Sequence, residues 1–145
     1  MTPEIERMIV EEDAAWLGLH AVLARVPSER LEEQAVTPDG WSAKDVMFHL
    51  AAWLAEASRQ LVRIREGTYA EPLEATQALN DRWFAMSRTL DTPTVRVGLE
   101  AARVMARGSL GSLREMGPLA REWFEESGAL HYAEHVRDLE RWLAG

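Results

Sequence analysis

From Pro3 to Leu143 the apolar residues recur three and four positions apart, and nowhere do they alternate with period two over a useful length. That pattern restricts the chain to helices, each of which must bury one stripe against its neighbours. The first is expected from about Pro3 to Val26, with Ile5, Ile9, Glu12, Trp16, His20 and Leu23 on one face and Pro27-Ser28 as its stop. Thr37-Pro38-Asp39-Gly40 reads as a turn. Ser42-Ala43-Lys44-Asp45 then has the form of a capping box and opens a second helix running to about Glu66, with Gly67 as terminator. Its inward stripe is Val46, His49, Leu50, Trp53, Ala57, Gln60, Leu61 and Ile64.

A weaker helical segment, about Pro72 to Thr89, carries Leu79, Trp83 and Met86. Asp91-Thr92-Pro93 opens the next helix, whose expected core side is Val97, Ala101, Val104, Leu110 and Leu113. Gly108 and Gly111 weaken it and Gly117-Pro118 ends it. A short segment containing Trp123 leads to Gly128, and the last helix covers about Ala129 to Leu143. Long helices with short connections predict an all-α antiparallel bundle forming one domain over residues 1–145. A chain of this length buries roughly 70% of its unfolded surface, so it needs no disulfide or metal to fold.

Composition removes several function classes. Cysteine is absent, which excludes disulfides, thiolate zinc sites and a cysteine nucleophile. The net charge is −8 and Lys44 is the single lysine, so the chain lacks the basic cluster that nucleic acid requires. No apolar run reaches the roughly 20 residues of a membrane span, and the acidic start MTPEIERMIVEED is unlike a secretory signal. A cytoplasmic protein with no membrane or nucleic-acid partner is expected.

Four histidines remain: His20, His49, His131 and His135. His131 and His135 are four apart on one helix, so their rings point the same way, one turn apart. That spacing lets one helix offer two imidazoles to a single metal ion. The pair lies along one edge of the stripe Tyr132, Leu139, Trp142 and Leu143, and His49 lies along an edge of the second helix's stripe. Three neutral imidazoles at facing edges are harder to explain as core material than one, because each needs a partner. His49, His131 and His135 are therefore the expected ligands of one divalent metal ion.

The segment His131–His135 also spells H-x-x-E-H, the pattern of inverted zinc proteases. Glu134, however, projects about 100° away from His135 and reads better as solvated surface. His20 shares a stripe with Trp16 and Leu23 and is expected in the core or at its rim. Glu12, on that stripe, needs a partner: either a ligand imidazole that it orients, or an arginine. Trp41 and Trp53 stand where they can line a pocket near the metal.

The block Gly40-Trp41-Ser42-Ala43-Lys44-Asp45-Val46-Met47-Phe48-His49-Leu50-Ala51-Ala52-Trp53 and the ending His131-Tyr132-Ala133-Glu134-His135-Val136-Arg137-Asp138-Leu139-Glu140-Arg141-Trp142-Leu143 resemble two motifs of the DinB-like superfamily. That superfamily includes the mycothiol-dependent maleylpyruvate isomerase N-terminal domains. Residues 67 to 127 have no diagnostic pattern. The resemblance implies an up-down-down-up four-helix bundle with an extra short helical segment before the third main helix, often dimeric. It also implies a metal held by His49, His131 and His135, and a low-molecular-weight thiol as nucleophile in transferase or isomerase chemistry. A metal-dependent hydrolase fits the same ligands, and so does a non-catalytic stress or self-resistance protein that binds a small molecule. Three imidazoles suit zinc, nickel, iron or copper and, less well, manganese.

Overall fold

The longest helix, α2 (Ala43–Glu66), is closed at both ends by the devices its sequence announces. At its start the Ser42 Oγ accepts from the Asp45 backbone N–H at 3.1 Å, and the Asp45 carboxylate accepts from the Ser42 N–H at 2.8 Å. At its end Gly67 has φ +74°, the left-handed conformation that glycine adopts without a Cβ penalty. The Arg63 carbonyl there accepts from the Thr68 N–H at 2.9 Å, satisfying an orphan group of the last turn.

The computed structural model describes residues 1–145 and contains no strand. Around α2 lie α1 (Pro3–Ala24), a 3-10 turn (Ser28–Arg30), α3 (Thr76–Ser87), α4 (Thr92–Gly111), α5 (Pro118–Ser127) and α6 (Ala129–Leu143). Asp91 caps α4 by accepting from the Thr94 N–H at 2.8 Å, and Pro93 occupies its first turn. α2 packs most extensively against α4 and α1 against α6, and α2 also touches α3 and α5. The chain is thus a helical bundle. No helix is long and apolar enough to cross a membrane.

The second and last helices follow the expected boundaries, and three other elements differ. Residues 118–127, expected only as a short segment, form the complete helix α5. On α4 the buried residues are Val95, Leu99, Ala102, Ala106 and Leu110, whereas Val97 and Val104 are 70% and 66% exposed. The expected core side was therefore right only for Leu110 and the following Leu113. α4 is apolar on two faces, so periodicity alone does not choose between them. Its rotation goes with Arg103 and Arg107, which point at Glu12 of α1. On α1 the core residue is Leu19 and its neighbour His20 is exposed, bonded to the Glu100 carboxylate at 3.1 Å.

A buried polar cluster and a glycine junction set the helix positions. Lys44 is buried, and its Nζ donates to Glu32 at 2.7 Å and to the Leu90 carbonyl at 2.8 Å. Asp45 also accepts from the Ser87 hydroxyl at 2.5 Å, so the first turn of α2 is pinned to the end of α3 and the turn that follows it. At the junction α5 passes into α6 through Gly128 alone. A Cβ there would come 2.7 Å from the Phe124 carbonyl oxygen, closer than packed atoms tolerate, so the junction requires glycine.

Asp45→Ala removes a helix cap and strands buried donors at once. It should lower unfolding free energy by about 2–4 kcal/mol in urea denaturation. A loss below about 1 kcal/mol would mean that the α2 cap is not set by this carboxylate.

Candidate metal centre

α2 carries His49 one turn beyond Asp45, and α6 carries His131 and His135 on one face. The bundle brings the three rings together. The Nε2 atoms of His49 and His131 lie 2.9 Å apart, and those of His131 and His135 lie 3.2 Å apart. Among groups of three or more His, Asp or Glu, this is the one whose ligand atoms converge closely enough to hold a metal ion. The rings are mutually inclined, at 75° for His49 and His131 and 55° for His131 and His135. The three expected ligands therefore cluster, their ligand atoms all within 4.8 Å of one another.

The chemistry of the donor set fits a cation. An imidazole nitrogen holds either one proton or one lone pair, so His131 Nε2 can hydrogen-bond one neighbour but not both. An ion that accepts all three lone pairs resolves the conflict. Nitrogens bound to one ion at about 2.0–2.1 Å with tetrahedral angles sit about 3.3 Å apart, close to the spacings here.

Burial keeps the rings neutral. It pulls His49 down from 6.5 to about 2, helped by the neighbouring charges of His131 and His135. His131 falls to about 3 through burial and the charge of His135. The Ser127 backbone carbonyl opposes that shift weakly, although His131 Nδ1 has no well-formed hydrogen bond. His135 is also lowered by burial, less so because Glu134 and Asp138 favour its charged form.

Asp138 fills the orienting role for which the sequence offered Glu12 as one of two alternatives. The His135 Nδ1–H donates to its Oδ2 at 3.1 Å, which fixes the tautomer that leaves Nε2 free. The i,i+3 spacing from His135 carries the signal for this pair. Glu12 instead takes the arginine alternative. Two Arg103 nitrogens donate to it at 2.9 Å each, Arg107 at 2.7 Å and the Tyr132 hydroxyl at 2.9 Å. Glu12 is 1% exposed and touches no imidazole ligand directly; it holds Tyr132, the residue after His131.

His20 lies on the outer surface with Glu100, away from the cluster. Trp41 covers the site, its ring 4.6 Å from His49 and 6.5 Å from His135. Beside the histidines opens a cavity of about 690 Å³, the size of a small-molecule site. Its walls include His49 and Trp53 from α2, Asn80 from α3, Trp123 from α5, and His131 from α6. Glu134 is exposed, as expected, and also borders this cavity. Trp53 donates through its indole N–H to Asn80 at 2.9 Å, which orients that wall.

Comparison with protein-family models, with curated proteins and with solved structures gives no match. The reading of the site rests on its own residues.

The neutral imidazoles imply a pH dependence for metal-free protein. The unfolded chain takes up protons near 6.5 that the fold refuses until far lower pH, so it binds more protons across that window. Stability is therefore complete above about pH 6.5 and is lost as pH falls below it. Each such histidine contributes a slope of up to about 1.4 kcal/mol per pH unit. Urea midpoints of chelator-treated protein should fall between about pH 7 and 5, and the double variant His49→Gln/His131→Gln should fall less steeply. A flat profile for the parent protein would contradict neutral burial.

Proposed function

We propose that the protein holds one divalent metal ion through Nε2 of His49, His131 and His135, and acts as an enzyme on a small molecule bound in the adjoining cavity. The observation that carries this reading is the convergence of three buried imidazole nitrogens at the wall of a cavity large enough for a substrate. Three protein ligands leave coordination positions free, which distinguishes a catalytic centre from a closed structural one. Zinc, nickel, iron and manganese all fit the donor set. A bound ion would act as a Lewis acid and lower the pKa of a thiol or water beside it.

The protein's own groups have defined tasks in this reading. Asp138 holds the His135 ring in the tautomer that presents Nε2. Trp41 shields the rings from water on one side. Trp53 and Trp123, with centroids 6.4 Å apart, form an apolar wall beside the histidines. The chain has no cysteine, so a thiol nucleophile arrives as a low-molecular-weight cofactor. Metal-dependent S-transfer or isomerisation is the reaction that the DinB-like resemblance implies, and hydrolysis by a metal-activated water fits the same ligands. DinB-like membership and the up-down-down-up arrangement belong to the same proposal, supported by the helix order and by ligands drawn from α2 and α6.

Protein purified without a histidine tag should carry near one equivalent of metal by elemental analysis. His49→Ala and His135→Ala should lose it, and Asp138→Asn should weaken affinity about 10–100-fold. Metal-dependent conjugation of an electrophile with one of a panel of thiols would establish transfer. Saturable binding without turnover would assign a sequestering role instead, and metal-free protein indifferent to these substitutions would end the metal reading.

We also propose a homodimer formed through α1 and α4. Val10 and Leu17 on α1 are 67% and 63% exposed. They flank Asp13, which pairs with Arg103 of α4, and Val97 and Val104 stand outward on α4 itself. A two-fold contact would bury these exposed side chains against their own copies. Sedimentation equilibrium should give twice the chain mass, and Leu17→Glu/Val104→Glu should give a folded monomer. A parent protein that sediments as a monomer at about 100 μM excludes the dimer.

A further inference from the structure

The cavity beside the three histidines has walls of one charge sign. Five glutamates border it and no lysine or arginine does. Glu74 is paired with Arg82 at 2.5 Å. Glu71, Glu122, Glu126 and Glu134 have no such partner. The position of two of them follows from helix geometry: Leu119, Glu122, Trp123 and Glu126 occur at i, i+3, i+4 and i+7 on α5 and share its cavity-facing side. Four unpaired carboxylates exceed the two positive charges that a divalent ion adds, so the filled site keeps a negative field.

Two independent features indicate that a ligand enters here. His49 is only 8% exposed yet lines the cavity, and its Nδ1 has no hydrogen-bond partner. Among the acids, the wall is aromatic. The Trp123 indole N–H donates to the Tyr69 hydroxyl at 3.2 Å, which fixes both rings, and Trp53 is held by Asn80. Oriented indole faces beside carboxylates attract an organic cation twice, through the ring quadrupole and through charge. They repel a carboxylate or phosphate ester, which would meet no lysine or arginine in the wall.

We propose that the cavity takes an organic cation, an ammonium or guanidinium group on an aromatic or apolar frame, with Glu122, Glu126, Trp53 and Trp123 as its specificity residues. The inference rests on the proposal that this cavity serves the metal centre, and it names the substrate class. The acids and indoles hold the charged end, while the frame extends toward the histidines. An anionic thiol conjugate is disfavoured as the occupant.

Calorimetric titration of the metal-loaded full chain tests this with benzyltrimethylammonium against phenylacetate. A quaternary ammonium has no lone pair, so its binding reports the cavity rather than coordination to the ion. The cation should bind at least about tenfold more tightly than the anion, and raising salt from about 50 to about 500 mM should weaken it. Glu122→Gln/Glu126→Gln, two exposed positions whose change leaves helicity intact by circular dichroism, should weaken the cation at least about fivefold. Equal or tighter binding of phenylacetate, or no saturable binding of the cation, overturns the inference. Metal content measured on the same samples separates the two ideas: full metal loading with no cation preference removes only the substrate class, and cation preference without metal removes only the metal centre.

Discussion

A carboxylate withdrawn from water inside a helical bundle costs several kcal/mol unless donors and cations meet it on every side. Glu12 is met by Arg103 and Arg107 from α4 and by Tyr132 from α6, so one side chain of α1 fixes the rotation of two other helices. The Arg103 guanidinium also lies over the Trp16 ring at 4.7 Å, which ties the charged cluster to the apolar core. The Tyr132 hydroxyl is held un-ionised by burial and by the Glu12 charge. Because Tyr132 follows His131 directly, the rotation that satisfies Glu12 also turns His131 and His135 toward α2. The placement of the histidine pair on α6 is thus set by an ion cluster that contains no histidine.

The other half of the site depends on α2 starting at the right place. Ser42, Asp45 and Lys44 anchor the first turn to Ser87 and Leu90, and His49 follows Asp45 by four residues on the same face. A helix that began one residue later would rotate His49 by about 100° away from α6. Both anchors sit beside the histidines, so the spacing between the rings is set by specific contacts with neighbouring helices rather than by the average packing of the bundle.

The degree to which each part could be read from the sequence follows from this. The ends of α2 and α6 were legible because capping residues and glycine junctions act within a few residues of chain. The three histidines were legible because i,i+4 spacing and stripe edges survive in one dimension. The rotation of α4 was not: Val97, Ala101 and Val104 form as good a stripe as Leu99, Ala102 and Ala106. The choice between them accompanies the pairing of Arg103 with Glu12, 91 residues away. Glu12 itself was recognised as needing a partner, but periodicity could not say which. α5 was hidden because its ten residues bury little beyond Ala120, Phe124 and Ser127, too few to display a period. The cavity walls come largely from α3, α5 and the segment before α3, which is why the pocket chemistry was the least legible part.

Native interiors leave very few polar atoms without partners, and the exceptions tend to gather where function overrides packing. Three buried side-chain atoms here have no hydrogen bond: His49 Nδ1, His131 Nδ1 and Gln60 Oε1. Two of them belong to the three-histidine cluster. The rest of the molecule shows that the fold can satisfy buried polar groups well, as it does for Glu12, Lys44 and Asp45. Two unpartnered Nδ1 atoms, on imidazoles whose Nε2 atoms crowd one another, are therefore a local departure beside the cavity. A cation among the three Nε2 atoms would turn their mutual crowding into shared coordination. The same ion would bring positive charge to a cavity whose unpaired glutamates otherwise make it uniformly negative. Ligand set and cavity are electrostatically complementary, and that is the physical reason to treat them as one site.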